Sequence, residues 1–182
     1  GRTASTNFPT TNTYGTSYDT TGDGSSSDDS FVTKLDSSLN ILASTYLGGN
    51  GDDDASEIGV DSDGKIYVYG SVGGLNGSGS AVTPTFPSIS WGYDPSLNAG
   101  ASINPDLFIA RFDSSLTSLE SATFLETSNV ETTAVGSDLK IIPDAEEDIV
   151  ITGATSATNF PTTVGAYDTS SNGNYDVLIT RI

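Results

Sequence analysis

The sequence predicts an all-β protein of about nine antiparallel strands, built from a repeated four-strand unit and left with an open sheet edge. Short runs of β-branched and aromatic residues recur between groups of Ser, Thr, Gly, Asn and Asp, which is typical of many short strands. No stretch has the 3.6-residue apolar period of a long helix. Three phrases also recur in the same order, so the chain is organised as repeats.

The first repeated phrase begins near Phe-Pro and ends in Tyr-Asp, and we expect it to form a loop. Its three copies are "NFPTTNTYGTSYD" from Asn7, "TFPSISWGYD" from Thr85 and "NFPTTVGAYD" from Asn159. Proline cannot donate to a strand ladder, so each Phe-Pro step favours a buried ring followed by the end of a strand.

The second phrase opens with Asp and a strand-like run, and it carries one basic residue at the same step of every copy. The copies are "DSFVTKLDSSLNILASTYLGG" from Asp29, "DLFIARFDSSLTSLESATFLET" from Asp106 and the shorter "DVLITRI" from Asp176. We expect Lys34, Arg111 and Arg181 to pair with nearby carboxylates or to lie along strand surfaces.

The third phrase predicts a hairpin, because Asp and Gly supply its turn and the flanking runs alternate. It reads "IGVDSDGKIYVYG" from Ile58, and "AVGSDLKIIPDAEEDIVITG" from Ala134 answers it with a longer turn. We expect Gly to stop each of its second strands. The predicted strands lie near 31–36, 41–47, 56–61, 65–70, 106–112, 118–125, 131–142, 148–153 and 176–182.

Composition restricts the classes of function. The 24 Asp and Glu against six Lys and Arg give a net charge of −18, which excludes a basic nucleic-acid face. The absence of Cys and His removes disulfides, zinc sites and His-dependent catalytic relays, and no two carboxylates stand out as a glycosidase pair. We therefore expect a protein that is not an enzyme. The chain has no apolar run that could insert in a membrane and no signal peptide, so we expect a soluble mature chain or a fragment.

The phrases resemble the SBBP repeats, which are predicted β-propeller repeats of secreted bacterial and archaeal proteins. The segments that carry the resemblance are "TNFPTTVGAYDTSSNGNYDVLITRI", "KLDSSLNILASTYLGG" and "IGVDSDGKIYVYG". The resemblance covers nearly all of residues 1–70 and 153–182 and is weaker over 71–152, where "FLETSNVE" replaces "YLGGNGDDD". It implies a scaffold located outside the cell or at the cell surface, and it implies no enzymatic activity.

The repeat count leaves the architecture incomplete. We treat residues 1–182 as a single domain with units at about 1–70, 71–153 and a truncated 154–182. Two four-strand sets and one extra strand cannot close a propeller ring, which needs four to eight blades. The chain is then an incomplete propeller or a two-sheet sandwich with an open edge.

An open edge invites association, because an unpaired strand is a template for another chain. We expect an extracellular structural protein that assembles into a filament or surface layer when a neighbouring copy supplies a strand. The contact would use the terminal strand 176–182 or the N-terminal segment. The alternative is a fragment of a larger propeller that binds carbohydrate or a surface partner, with Tyr14, Trp91 and Tyr93 as a stacking platform for glycans or as loop packing.

Acidic loops predict calcium as the cofactor, because Ca²⁺ takes six to eight oxygen ligands. Uncompensated carboxylates in a small β protein also favour bound cations. The candidate ligands are Asp19, Asp23, Asp28, Asp29, Asp52, Asp53, Asp54, Glu57, Asp61 and Asp63. Turn chemistry alone explains Asp61 and Asp63 and is the favoured interpretation for them, and a solvated acidic loop is the alternative for the others. A fourth cluster, "DAEED" from Asp144, lies in the longer turn.

Overall fold

The computed structural model describes residues 1–11, 14, 28–74, 85–87, 92–94, 96–97, 106–125, 138–141, 148–155, 158, 160–173 and 176–182. Within these residues all secondary structure is antiparallel β, in three open sheets. The strands are β1 (Arg2–Thr3), β2 (Asp29–Leu35), β3 (Ile41–Leu47), β4 (Asp53–Val60), β5 (Ile66–Val72), β6 (Asp106–Phe112), β7 (Leu119–Phe124), β8 (Asp138–Ile141), β9 (Ile149–Thr155) and β10 (Asp176–Arg181).

The all-β class and the nine longer strands are confirmed, and the strands form three sheets rather than the two of a sandwich. The two-residue β1 was not predicted, because it is too short to show an alternating pattern. The expectation that Gly stops the second strands was wrong for both β5 and β9, which continue through Gly70 to Val72 and through Gly153 to Thr155. A Cβ at Gly70 would overlap the carbonyl oxygen of Asp54 and lie 2.9 Å from Cε1 of Phe108, so the glycine makes room for the backbone of β4 and for that ring.

The sheets are out of phase with the sequence repeats. Their strand orders are β1-β2-β3 in the first sheet, β4-β5-β6-β7 in the central sheet and β8-β9-β10 in the third sheet. The central sheet therefore takes the last two strands of one unit and the first two of the next. Strand β10 of the third sheet, β6 of the central sheet and β2 of the first sheet each carry the start of the second phrase, so these three strands are equivalent.

The register confirms this equivalence. Each copy of the second phrase opens with an Asp, and this Asp pairs with the equivalent residue of the neighbouring strand. The pairs are Asp29 with Thr3, Asp106 with Val72 and Asp176 with Thr155. Because side chains alternate along a strand, equal register means that equivalent residues point to equivalent faces. Residues of β2, β6 and β10 can therefore be compared one by one.

The central sheet has both faces covered. One apolar cluster joins its Val68, Phe108 and Phe112 to Val32 and Leu47 of the first sheet. On the opposite face, a second cluster joins the central sheet to the third sheet through the side chains of Tyr67, Tyr69, Ile109, Ile149, Ile151 and Leu178. Alternating residues of β5 and β6 thus pack in opposite directions, which explains why both strands are apolar throughout.

Two equivalent turns join β2 to β3 and β6 to β7. In each, an Asp carboxylate accepts backbone N–H groups of the following residues: Asp36 from Ser38 and Asn40 at 2.8 Å, and Asp113 from Thr117 at 2.7 Å. Each turn also holds a Leu at positive φ, Leu39 at 65° and Leu116 at 57°. The repeated "DSSL" therefore specifies one local conformation in two places.

Candidate functional site

Four of the predicted calcium ligands meet where β2 and β4 begin. The backbone N–H of Asp53 donates to the carbonyl of Asp28 at 2.7 Å, and the N–H of Asp28 donates to Oδ1 of Asp52 at 3.1 Å. Asp28 also pairs with Arg2, with 3.1 Å between Nε and Oδ2. These contacts bring two acidic segments that are far apart in sequence into one corner of the protein, which we call the acidic corner (Asp28, Asp29, Asp52 and Asp53).

Two carboxylates of the acidic corner are buried, with exposed fractions of 1% for Asp29 and 0% for Asp53. Both approach Gly48, where a Cβ would lie 2.6 Å from Oδ2 of Asp53 and 3.4 Å from Oδ1 of Asp29. Oδ2 of Asp53 accepts the N–H of Gly49 at 2.7 Å. Only a residue without a side chain fits at Gly48, so the glycine allows the two carboxylates to share this space.

The donor set of the acidic corner falls short of a full calcium site. Among the residues that the structure describes, no group of three or more acidic side chains is arranged to hold a metal ion. Ca²⁺ would need further oxygens from carbonyls or water beyond Asp29 and Asp53. Calcium binding therefore stays a prediction.

The remaining predicted ligands lie outside the acidic corner or outside the described residues. Asp54 and Glu57 lie along β4 and are half-buried. Asp61 and Asp63 lie beyond the other end of that strand, so they are distant from the acidic corner. Oδ1 of Asp61 accepts the N–H groups of Asp63 at 2.9 Å and Lys65 at 2.8 Å, which is the geometry of the hairpin turn. Asp19 and Asp23 lie outside the described residues, as do Asp144, Glu146 and Glu147 of the fourth cluster.

The three basic residues at the repeated step all make polar contacts. Nε of Arg111 lies 3.3 Å from Oε2 of Glu120, and Arg181 pairs with Asp148. Nζ of Lys34 donates to the carbonyl of Ser114 at 2.9 Å. Arg111 and Arg181 thus pair with carboxylates, as expected.

One buried carboxylate was not among the predicted site residues. Asp106 opens β6 and has an exposed fraction of 3%, close to that of the equivalent Asp29. The signal was present in the sequence, because Asp106 is the first letter of the second copy of the same phrase. Asp106 has no acidic neighbour in sequence, so no cluster of acidic residues marks it.

A second candidate site is the outer edge of β10, which among the described strands pairs only with β9. Ile182 and Ile149 exchange both backbone hydrogen bonds at 2.9 Å. Hydrogen-bonded pairs alternate along an antiparallel ladder, so Leu178 and Thr180 bond β9 while Val177 and Ile179 direct N–H and C=O away from it. The side chains of Val177 and Ile179 are 80% and 74% exposed.

A groove of about 550 Å³ runs along this edge, between β10 and the loop of residues 160–171. We call it the β10 groove. Its floor includes Phe160 and the buried Leu178, which belong to the second apolar cluster. The groove thus combines outward-facing backbone groups with an apolar floor.

In the other two sheets, the equivalent loop reaches across an additional strand. In the first sheet, the N–H of Thr11 donates to the carbonyl of Ser44 on β3 at 3.1 Å. In the central sheet, the N–H of Asp94 donates to Oγ1 of Thr123 at 2.8 Å, and its carbonyl accepts the N–H of Phe124 on β7 at 2.9 Å. Strands β3 and β7 therefore lie between their neighbouring strand and the loop, in the position that the β10 groove occupies in the third sheet.

In the third sheet, polar groups of the equivalent loop make hydrogen bonds to one another. Asp168, which corresponds to Asp94, accepts the N–H and hydroxyl of Ser170 at 2.9 Å and the amide of Asn172 at 2.9 Å. These bonds, the N–H of Ser170 first, hold the pKa of the Asp168 carboxyl below its ordinary value. The described part of the loop from Thr162 to Gly173 is exposed throughout.

The aromatic candidates for a sugar platform have different environments. Tyr14 packs edge-on against Phe112, with 5.7 Å between ring centroids, and burial raises the pKa of its phenol. Tyr93 is 62% exposed. Trp91 lies outside the described residues. Tyr14 therefore serves loop packing, whereas Tyr93 presents its ring to solvent.

A scan against protein-family models and a search of curated proteins found no match to this chain. The resemblance to SBBP repeats thus rests on the quoted phrases alone and stays a prediction. No helix in the described part of the chain is long and apolar enough to span a membrane.

Proposed function

We propose that this chain is an extracellular, non-catalytic structural protein that self-associates when a strand from a neighbouring copy completes its third sheet. The observation that carries the proposal is the outer edge of β10, whose backbone groups at Val177 and Ile179 face the β10 groove. An edge of this kind is an association site unless something covers it. The localisation follows from the repeat resemblance.

The exposed apolar side chains of the edge also favour association. Val177 and Ile179 point to one face of β10 and are mostly exposed, whereas Ile109, at the position equivalent to Ile179, is 5% exposed because the third sheet packs on it. A neighbouring copy that also packs on this face would cover Val177 and Ile179 and contribute about 1 to 2 kcal/mol for each side chain. Added backbone hydrogen bonds would set the register of the incoming strand.

Charge opposes assembly, and cations would relieve that opposition. A net charge of −18 on each copy makes two copies repel each other at low ionic strength. We propose that calcium assists assembly, with Asp29 and Asp53 of the acidic corner as the most favourable described ligands. Removing calcium should then weaken the assembly more than exchanging one monovalent salt for another.

The central test measures the mass of the purified chain against concentration by light scattering, with electron microscopy of the largest species. We expect concentration-dependent growth for the unmodified chain and a monomer for Ile179→Lys, which places a charge on the edge. Val60→Lys is the matched control, because Val60 is also an exposed β-branched strand residue. A chain that stays monomeric at every concentration contradicts the proposal, as does equal disruption by both variants.

The calcium part has a separate test. Titration with Ca²⁺ should raise the thermal midpoint of the monomeric Ile179→Lys variant, and EGTA should reverse the change. Asp29→Asn together with Asp53→Asn should abolish the response. An unchanged midpoint across the titration would remove calcium from the proposal and leave strand completion standing.

A second candidate function is binding of carbohydrate or another surface partner. Tyr93 and Tyr167 occupy the same step of the repeated loop phrase, both are exposed, and each is followed by Asp. Exposed tyrosines can stack on sugar rings. A glycan array probed with the chain and with Tyr93→Ala tests the carbohydrate part of this function, and silence of the array would count against it.

A further inference from the structure

We propose that the strand completing the third sheet is the N-terminal segment Arg2–Phe8 of a second copy, seated antiparallel in the β10 groove. The inference rests on the proposed function and specifies its donor. Three observations support it: the residues at the equivalent positions of the other two sheets, the weak pairing of this segment in its own copy, and the charge of the segment.

Strands β3 and β7 show what the groove accommodates. Opposite the residues that correspond to Ile179, both strands place a threonine: Thr45 faces Val32 and Thr123 faces Ile109. One step earlier in the incoming strand both have a small residue, Ser44 or Ala122. One step later both have an aromatic ring. The two strands read "ILASTYL" and "LESATF", so the accepted pattern is small, small, Thr, aromatic.

The N-terminal segment carries the central part of this pattern. It reads "RTASTNF", and its Ala4-Ser5-Thr6 repeats the Ala43-Ser44-Thr45 of β3. Placed in the register of β3, Thr6 lies opposite Ile179 and Ser5 lies opposite Thr180. Asn7 takes the position of the aromatic ring and Phe8 follows it, so the ring arrives one residue later than in β3.

The segment is also the most weakly paired of the candidate strands. Strand β1 has two ladder pairs, Arg2 with Ser30 and Thr3 with Asp29. Strands β3 and β7 each belong to a longer ladder, and releasing either would open its own sheet. The competing contacts of the segment are the Arg2 to Asp28 ion pair, the Phe8 ring on Phe31 at 4.2 Å and the Tyr46 hydroxyl bonds to Ser5 and Phe8. Its exchange therefore sacrifices the two ladder pairs, the adjoining backbone hydrogen bonds between Gly1 and Phe31 at 2.7 and 3.1 Å, and this local packing for a longer ladder on β10.

Charge favours the same donor. Residues 1–18 contain Arg2 and no acidic residue, in a chain whose net charge is −18. The rim of the β10 groove carries the carboxylates of Asp168 and Asp176. An N-terminal segment of this composition can approach that rim without carboxylate repulsion. Because donor and acceptor lie on different surfaces, the contact is head-to-tail and continues from copy to copy, which produces a filament.

The absence of cysteine allows a direct test of register. Two single-cysteine chains, Thr6→Cys and Ile179→Cys, are mixed at a concentration where the unmodified chain assembles and are then oxidised. Directly opposed residues have Cα atoms about 5.5 Å apart, within the range of a disulfide. We expect the mixed disulfide to exceed both self-paired products by about tenfold.

The control replaces Ile179→Cys by Val177→Cys. This position is two residues away on the same face of β10, so its Cα lies about 7 Å further along the strand. Equal yields at the two positions would overturn the proposed register. No mixed disulfide from a chain that still assembles would overturn the N-terminal donor and leave the proposed function intact. If the unmodified chain does not assemble at all, the proposed function itself is contradicted.

A peptide supplies the second measurement. Excess peptide of sequence RTASTNF should occupy the β10 groove and reduce the assembled fraction several-fold, and a scrambled peptide of the same composition should not. A fluorescent form should bind the unmodified chain and lose at least about tenfold in affinity for Ile179→Lys. Equal effects of the two peptides would contradict a sequence-matched groove.

Discussion

The central and third sheets carry the same loop phrase but place it in different surroundings. In the central sheet, Phe86 is buried and packs on Phe108 at 4.4 Å and on Phe124 of β7 at 6.0 Å. In the third sheet, Phe160 rests on the apolar cluster of Leu178 and stays partly exposed. The phrase therefore specifies a loop over a strand edge, whereas the neighbouring strand decides how much of that loop is buried.

The first and central sheets differ in the same way at their turns. Leu39 and Leu116 share positive φ and the same four-residue phrase, yet Leu39 is 77% exposed and Leu116 is 0% exposed. Only the central turn has its leucine inside the first apolar cluster. Equivalent residues can therefore contribute different amounts to the free energy of unfolding although their backbone conformations are the same.

The largest effect should come from the two loop phenylalanines. Phe86→Ala removes a buried ring and should lower the free energy of unfolding by about 3 to 5 kcal/mol. Phe160→Ala should cost about 1 kcal/mol, because its ring is covered on one side only. Urea unfolding of both variants measures the difference. Equal losses would mean that the third sheet is as completely packed as the central one.

A comparable difference is expected for the two turn leucines. Leu116→Asn buries an amide in place of an apolar side chain and should cost about 3 kcal/mol. Leu39→Asn should leave stability unchanged or raise it by up to about 1 kcal/mol, because Asn adopts positive φ more readily than Leu. Both values come from urea unfolding. A large loss for Leu39→Asn would show that the exposed leucine has a structural contact of its own.

The next prediction concerns the fit of the central loop against β7. A Cβ at Gly92 would lie 2.7 Å from Cβ of Thr123 and 3.0 Å from the carbonyl oxygen of Ala122. Gly92→Ala should therefore cost about 1 to 3 kcal/mol through overpacking. Ala166 stands at this step in the third sheet and is exposed, so Ala166→Gly is the control and should change stability by less than about 1 kcal/mol. Similar values for both would contradict close contact between this loop and β7.

The smallest effect is a dependence on pH. Burial acts to raise the pKa of the Asp113 carboxyl, but hydrogen bonds from the N–H of Ser118 and from Thr117 outweigh it, so the pKa lies below its ordinary value of 3.8. The side-chain amide of Asn40 lowers the pKa of Asp36 in the equivalent turn. A lowered folded-state pKa contributes stability above the ordinary value, and this contribution is lost as pH falls through the folded pKa.

Thermal midpoints measured from pH 6 down to pH 2 check this sign. The unmodified chain should lose stability below about pH 4, and the loss should be shallower for Asp113→Asn combined with Asp36→Asn. Asp63→Asn, on the exposed surface of a different turn, is the matched control. An unchanged slope in the double variant would show that other carboxylates dominate the acid transition.

Local sequence patterns predicted most of the fold. Short runs rich in β-branched and aromatic residues located β3, β5 and β6 to within a few residues, because such runs bounded by Gly, Asn and Asp are typical of strands. Strand β1 escaped detection because two residues have no period. The candidate sites divide in the same way: the Asp61 turn was recognisable from "DSDG", whereas the meeting of Asp29 with Asp53 at Gly48 joins segments that are distant in sequence.

Residue type and local spacing are enough to locate the nine longer strands, the turns and the equivalent positions of the repeats, and they exclude cysteine and histidine chemistry. Tertiary structure alone decided that sheets are out of phase with repeats, that Asp106 is buried like Asp29 and that β10 borders a groove. The physical reason is that burial and edge pairing depend on which strands lie side by side, and identical phrases gain different neighbours at different places in the fold.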